Sequence, residues 1–199
     1  MMNDTTARET DLEQFTKRLR KETAESHQQL EENPLSKALL DPQVSLTDYQ
    51  VYLSKMYGVT AACEEQVFPL IGNVVPDLTK RYKLDYLISD LRATGLHDEQ
   101  ISEIPVPEFT ANSPAEALGI AYVVEGSTLG GRVIYKHIHQ KLGFTEDAGA
   151  SYFNGYGAET GPMWKSFISG LSSYAAVSGE SEAIIESAKK TFSIIDRWL

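Results

Sequence analysis

Cysteine occurs once in the 199 residues, at Cys63, so no intramolecular disulfide can form and a reducing cytoplasm is the expected setting. No apolar run approaches the roughly 20 residues that a membrane-spanning helix needs. The opening stretch, Met1 to Glu13, lacks the apolar centre of a signal peptide. Basic side chains are in deficit: 18 Lys and Arg stand against 28 Asp and Glu, a net charge of −10. That balance disfavours a nucleic-acid binder, which would present a broad basic face. Strand-like alternation, internal repeats, low-complexity tracts and linkers are missing too. Neither a glycine-rich dinucleotide fingerprint nor a Glu-x-x-His pair occurs, and the second absence argues against a di-iron carboxylate bundle.

What remains is helical periodicity in nearly every long segment. A flexible tail over residues 1–10 is expected to precede one helical domain over 11–199. The first helix spans about Asp11 to Glu32, with Leu12, Phe15, Leu19, Thr23, His27 and Leu30 on one stripe. Asn33-Pro34 restarts the chain as a short helix. Thr47-Asp48-Tyr49-Gln50 reads as the capping box of a long helix through Leu70. Another runs from about Asp77 to Ala93, His97 sits in a polar loop segment, and Ser102 to Asn112, with Pro105 and Pro107, is a loop. Ser113-Pro114-Ala115-Glu116 opens a helix to about Leu142, with Gly143 ending it. Two more follow, about Gly161 to Ala176 and Glu180 to Trp198. The expected fold is an all-α, single-domain, multi-helix bundle.

The helix from Pro114 carries Gly126, Gly130 and Gly131 in its middle. Each costs about 0.8–1 kcal/mol relative to Ala, so a compensating reason is needed. One reading is close packing, because Gly126 and Gly130 lie one turn apart on a face. The other is that a flat, bulky ligand lies directly on the backbone, with Gly130 and Gly131 permitting a kink over it. The glycines do not choose between them.

Of the four histidines, only His27 lies on an apolar stripe. His137 and His139, two residues apart on one helix, cannot chelate together. Glu31 follows His27 by one turn, placed to accept a hydrogen bond from the ring nitrogen that does not bind metal. Arg20 precedes it by two turns, about 10 Å away at 1.5 Å per residue, near the distance from a haem iron to its propionates. A buried core histidine remains the competing reading. Lys17, Arg18, Arg20 and Lys21 form a basic cluster that reads either as a solvated face or as a dock for an acidic protein.

These residues resemble a known family. Leu19-Arg20-Lys21-Glu22-Thr23-Ala24-Glu25-Ser26-His27, followed by Glu31, is similar to the proximal helix of haem oxygenases. Tyr122-Val123-Val124-Glu125-Gly126-Ser127-Thr128-Leu129-Gly130-Gly131 resembles the distal helix of the bacterial branch. Tyr152-Phe153-Asn154-Gly155-Tyr156-Gly157, with Thr160 and Trp164, looks like a segment of the forms associated with bacterial phytochromes. The resemblance implies haem held between the first helix and a kinked glycine-rich helix. It implies His27 as the axial iron ligand, supported by Glu31. Arg20 and Tyr122 would meet the propionates, Lys165 more loosely so, and Phe192 would line the pocket. Where many members have an acid in the distal helix, Ser127 stands here, as is common in the bacterial branch.

The implied reaction opens the haem ring with O2 to biliverdin, carbon monoxide and ferrous iron. Gly126, Ser127, Gly130 and Gly131 would form the oxygen side. Electrons must come from outside, from a ferredoxin, a reductase or a soluble reductant, and a bacterial phytochrome is an expected client for biliverdin. Two alternatives stay open. One is a non-catalytic haem or bilin carrier on the same fold. The other is a thiaminase-like hydrolase using Cys63, although that residue sits on an apolar stripe where an inert core cysteine is expected.

Overall fold

Helix α1 (Asn3–Glu32) ends where Asn33 and Pro34 restart the chain as α2 (Pro34–Leu39), the Asn33 side chain accepting the Leu35 N–H at 2.9 Å. The computed structural model describes residues 3–199, with side chains from Leu12 onward. Helix α1 begins at Asn3 rather than near Asp11, so it takes in most of the segment expected as a tail, and residues 1 and 2 lie outside the described residues. Helix α3 (Leu46–Ala62) starts two residues earlier than the Thr47 box implies. Ser45 is the cap, accepting the Asp48 N–H at 3.1 Å while the Asp48 carboxylate accepts the Ser45 N–H at 2.9 Å.

The long helix expected through Leu70 is interrupted. A π turn, Cys63–Val67, separates α3 from the short α4 (Phe68–Ile71). Pro69 supplies the reason: it has no N–H to give and its ring crowds the carbonyl one turn back, so the ladder widens, with the Phe68 N–H bonding Cys63 O. The helix expected over Asp77 to Ala93 likewise divides into a 3-10 turn, Leu78–Arg81, and α5 (Leu84–Ala93). A carboxylate from the π turn causes the break. Glu64 accepts the N–H groups of Lys83 at 2.5 Å and Leu84 at 3.0 Å, capping α5 from another segment. His97, expected in a loop, precedes a further short helix, α6 (Asp98–Ser102), and its N–H is taken by Gln100 at 2.9 Å.

Helix α7 (Pro114–Leu142) has the expected bounds, with Ser113 accepting the Glu116 N–H at 3.2 Å and Gly143 at φ 77° ending it. Glu116 does not close the box on Ser113; its carboxylate takes the Asn112 N–H at 2.6 Å instead. The helix is unbroken, so the kink expected at Gly130 and Gly131 does not interrupt it. Helix α8 (Ser151–Asn154) is capped by the buried Asp90 of α5, which accepts the N–H groups of Ser151 at 2.9 Å and Tyr152 at 2.8 Å. Burial pushes the Asp90 carboxyl above its ordinary range, against the pull of those hydrogen bonds. A 3-10 turn, Gly157–Glu159, leads into α9 (Thr160–Ser178) and then α10 (Ser181–Trp198).

The chain is all-helical, and no strand is formed among the described residues. Buried apolar side chains from Leu19 to Ile195 form one connected core. Helix α10 is its spine, packing most extensively on α7 and next on α1. A Cβ at Gly119 of α7 would fall 2.7 Å from Ser187 Cβ and 2.9 Å from Ala188 N, so the α7 and α10 backbones touch. No helix among the described residues is long and apolar enough to cross a membrane.

Candidate functional site

Helices α1 and α7 both rest on α9 and α10 but scarcely touch each other. They approach each other at Thr23 and Tyr122: the Thr23 hydroxyl donates back to Leu19 O at 2.8 Å, and the Arg20 cation is close enough to act on the Tyr122 phenol. Burial raises the Tyr122 pKa, while the nearby Thr23 hydroxyl and the Arg20 charge pull it down. The Tyr122 ring also lies 5.6 Å from that of Trp164.

Along α1 the expected stripe holds for Leu19 and Thr23, which are buried, but His27 is a different case. Its side chain is 59% exposed, so it is no buried core histidine. The ring meets buried Phe192 of α10 edge-on, centroids 5.7 Å apart. Glu31 faces Nδ1 at 3.6 Å, a separation suited to an ion pair but too long for the expected hydrogen bond. Nε2 is the other ring nitrogen.

The glycines of α7 divide between the two readings. A Cβ on Gly131 would fall 2.8 Å from Phe153 O of α8, so close packing accounts for that residue. One on Gly126 would rest in ordinary contact with the Trp164 ring at 3.5 Å. Around Gly130 no atom lies within 4 Å of the Cβ position; that glycine faces open space. Ser127 is exposed, its hydroxyl donating to Val124 O at 2.7 Å. Lys165 is exposed on α9, directly after Trp164. The structure thus brings Arg20, Tyr122 and the α1 surface together, and sets Phe192 against His27.

Two of the four cations in the basic cluster on α1 are paired with carboxylates. Arg18 pairs with Glu22 at 2.6 Å and Glu182 at 2.5 Å, and Lys17 with Glu13 at 3.5 Å. Such exposed pairs accord with a solvated face, while Arg20 and Lys21 stay exposed beside them. Cys63 is buried, and burial pushes its thiol far above the ordinary range, which leaves the hydrolase alternative without a nucleophile.

Sequence reasoning assigned no role to the charged cluster behind α7. Glu125, 2% exposed, accepts from Arg81 at 2.6 Å, from Lys83 at 3.1 Å and from the Tyr156 hydroxyl at 2.9 Å. Lys83 also donates to Tyr156 at 2.6 Å, and Arg81, fully buried, reaches Met163 O at 3.0 Å. Burial lowers the Lys83 pKa, and burial together with the Glu125 charge raises that of Tyr156. The signal was present in one residue: a carboxylate directly after Val123-Val124 in a buried helix requires partners of opposite charge. Which cations supply them depends on the fold, because Arg81 and Lys83 lie some 40 positions away, 44 and 42 residues respectively. Gly130 lies five residues further along α7, about 140° round the helix from Glu125, so the cluster buttresses the side away from the open glycine.

A family model described as heme oxygenase matches residues 13–199. No curated protein sequence matches the chain. Among solved structures, the NO- and CO-bound heme oxygenase of Neisseria meningitidis is 23% identical, with TM-score 0.72, covering 92% of this chain and 89% of its own. Heme oxygenase from Leptospira interrogans is 18% identical, with TM-score 0.76, covering 92% and 97%. That of the cyanobacterium Synechocystis, solved in complex with heme, is 17% identical, with TM-score 0.74, covering 92% and 90%. At such identities the likeness to these structures is one of fold.

Proposed function

The chain belongs to the haem oxygenase family, and on that premise we propose that its substrate is haem, which it opens with O2 and external electrons to biliverdin, carbon monoxide and ferrous iron. The observation that carries this reading is an accessible imidazole, His27, on one helix, combined with a glycine, Gly130, that opens to empty space on another. A flat ring with an iron centre suits both features. Glu31 lies beside Nδ1, so Nε2 is the nitrogen that holds the iron. A neutral imidazole suits ring oxidation better than a thiolate, whose electron push favours O–O cleavage.

Arg20 and Tyr122, adjacent across the junction of α1 and α7, hold the propionates by charge-assisted hydrogen bonds. Lys165 adds a cation at the same rim. Phe192 gives the pocket an apolar wall, and Gly126 and Gly130 keep side chains off the oxygen side. Ser127 offers a hydroxyl there in place of an acid. Electrons arrive from a ferredoxin, a reductase or a soluble reductant, and biliverdin would suit a bacterial phytochrome as client. The one cysteine, buried and free, accords with a cytoplasmic enzyme.

Turnover distinguishes an oxygenase from a carrier. Purified protein titrated with haemin should develop a Soret band, and a reductant in air should replace it with biliverdin absorption. His27→Ala should keep the fold, lose the histidine-bound spectrum and most turnover, and regain ligation in part with added imidazole. A stable Soret band under reductant would leave only a carrier, and an unchanged spectrum in the mutant would remove His27 as ligand.

A further inference from the structure

We propose that Phe192 is a positioning residue that fixes the plane of the His27 imidazole, a role the neighbouring Glu31 cannot fill. The inference rests on the reading of His27 as the iron ligand. Glu31 and Phe192 both lie against the ring. Glu31 stands 3.6 Å from Nδ1 and is 69% exposed, so water competes for its charge and its rotamers stay free. Phe192 is 5% exposed and meets the imidazole at 5.7 Å with an interplanar angle of 72°, the edge-to-face geometry that aromatic pairs favour.

Phe192 is also held on a fixed element. Helix α10 is fastened at its first half by the backbone contact with Gly119 of α7. Its far end is fastened twice. Asn33 donates to Asp196 O and to Asp196 Oδ1, both at 2.9 Å. Lys55 of α3 donates to Trp198 O at 2.6 Å while the Trp198 indole N–H donates to Lys55 O at 3.0 Å. The Trp198 ring lies over Gly58, where a Cβ would come within 2.8 Å of it. Phe192 falls between these anchors. Because α10 is also the main support of α7, the ring plane on α1 and the open face of α7 are referred to one helix, although α1 and α7 scarcely touch.

The test begins without haem, on the full chain. In the wild type, NMR should show His27 ring protons displaced by the Phe192 ring current and a ring with restricted motion. Phe192→Leu should abolish the displacement and loosen the ring, Phe192→Tyr should restore both, and Glu31→Gln should change neither. With ferric haem bound, Phe192→Leu should broaden the spread of g values in electron paramagnetic resonance, while Glu31→Gln and Phe192→Tyr should not. A His27 ring equally ordered in Phe192→Leu, or one loosened as much by Glu31→Gln, overturns the proposal. Should Phe192→Leu unfold, Phe192→Met and Phe192→Tyr provide the same contrast between loss and retention of the aromatic edge. Failure of the ligand reading is separate: it would appear as a histidine-bound spectrum surviving in His27→Ala, with the haem-free result untouched.

Discussion

The two halves of α7 occupy opposite surroundings although one continuous helix carries both. From Ala115 to Glu125 nearly every side chain is buried, and Gly119 is pressed against the α10 backbone. From Ser127 to Val133 one side opens: Ser127, Leu129, Gly130, Arg132 and Val133 are exposed, and only Thr128 and Gly131 remain inside. A glycine has the same propensity cost in each half, about 0.8–1 kcal/mol relative to Ala. In the first half that cost is offset by backbone contact between helices. In the second, at Gly130, no neighbouring residue offsets it; under the proposed function the face of the haem would. Glu125 stands at the join, where Arg81, Lys83 and Tyr156 hold the helix from behind.

The largest effect should come from cutting that join. Glu125→Ala leaves the fully buried Arg81 and the nearly buried Lys83 without their counter-charge, and should cost about 3–5 kcal/mol of stability in denaturant melts. Glu125→Gln keeps the shape and part of the bonding, so it should cost less. A loss in Glu125→Ala no larger than that of an exposed carboxylate would mean the cluster does not brace α7.

Gly119→Ala should come next. Ala is the better helix former, yet the new Cβ meets backbone that cannot move without parting α7 from α10, so about 1–3 kcal/mol should be lost. Thermal melting of the haem-free protein would check it. A mutant as stable as the wild type would make the close approach dispensable.

Gly130→Leu should reverse the sign. Its side chain enters open space, so the haem-free protein should hold its stability or gain somewhat under about 1 kcal/mol. Haemin affinity or turnover should fall at least tenfold, about 1.4 kcal/mol. A mutant that melts much lower yet binds and degrades haem normally would remove the distinction between the halves.

How far the sequence anticipated these features depended on whether the signal was local. The bounds of α7 followed from Ser113, Pro114 and Gly143, residues that act on their own backbone neighbours. The breaks at Cys63–Val67 and before Leu84 escaped, the second because the Glu64 carboxylate that caps α5 comes from twenty positions earlier. At the site, His27, Arg20 and Tyr122 were nameable from spacing and motif. The partners of Glu125 were not, since a buried carboxylate announces its need for cations without saying where they come from.

The sequence by itself determined the helical fold, the family, and the histidine and glycines that suggest haem, because periodicity, caps and motif are written in adjacent residues. Only the tertiary structure decided which glycine packs and which stays open, that the buried Phe192 of α10 meets the His27 ring, and that α1 and α7 share α10 while scarcely touching. Those outcomes rest on distances between residues remote in the chain, and such distances come into being when the helices pack.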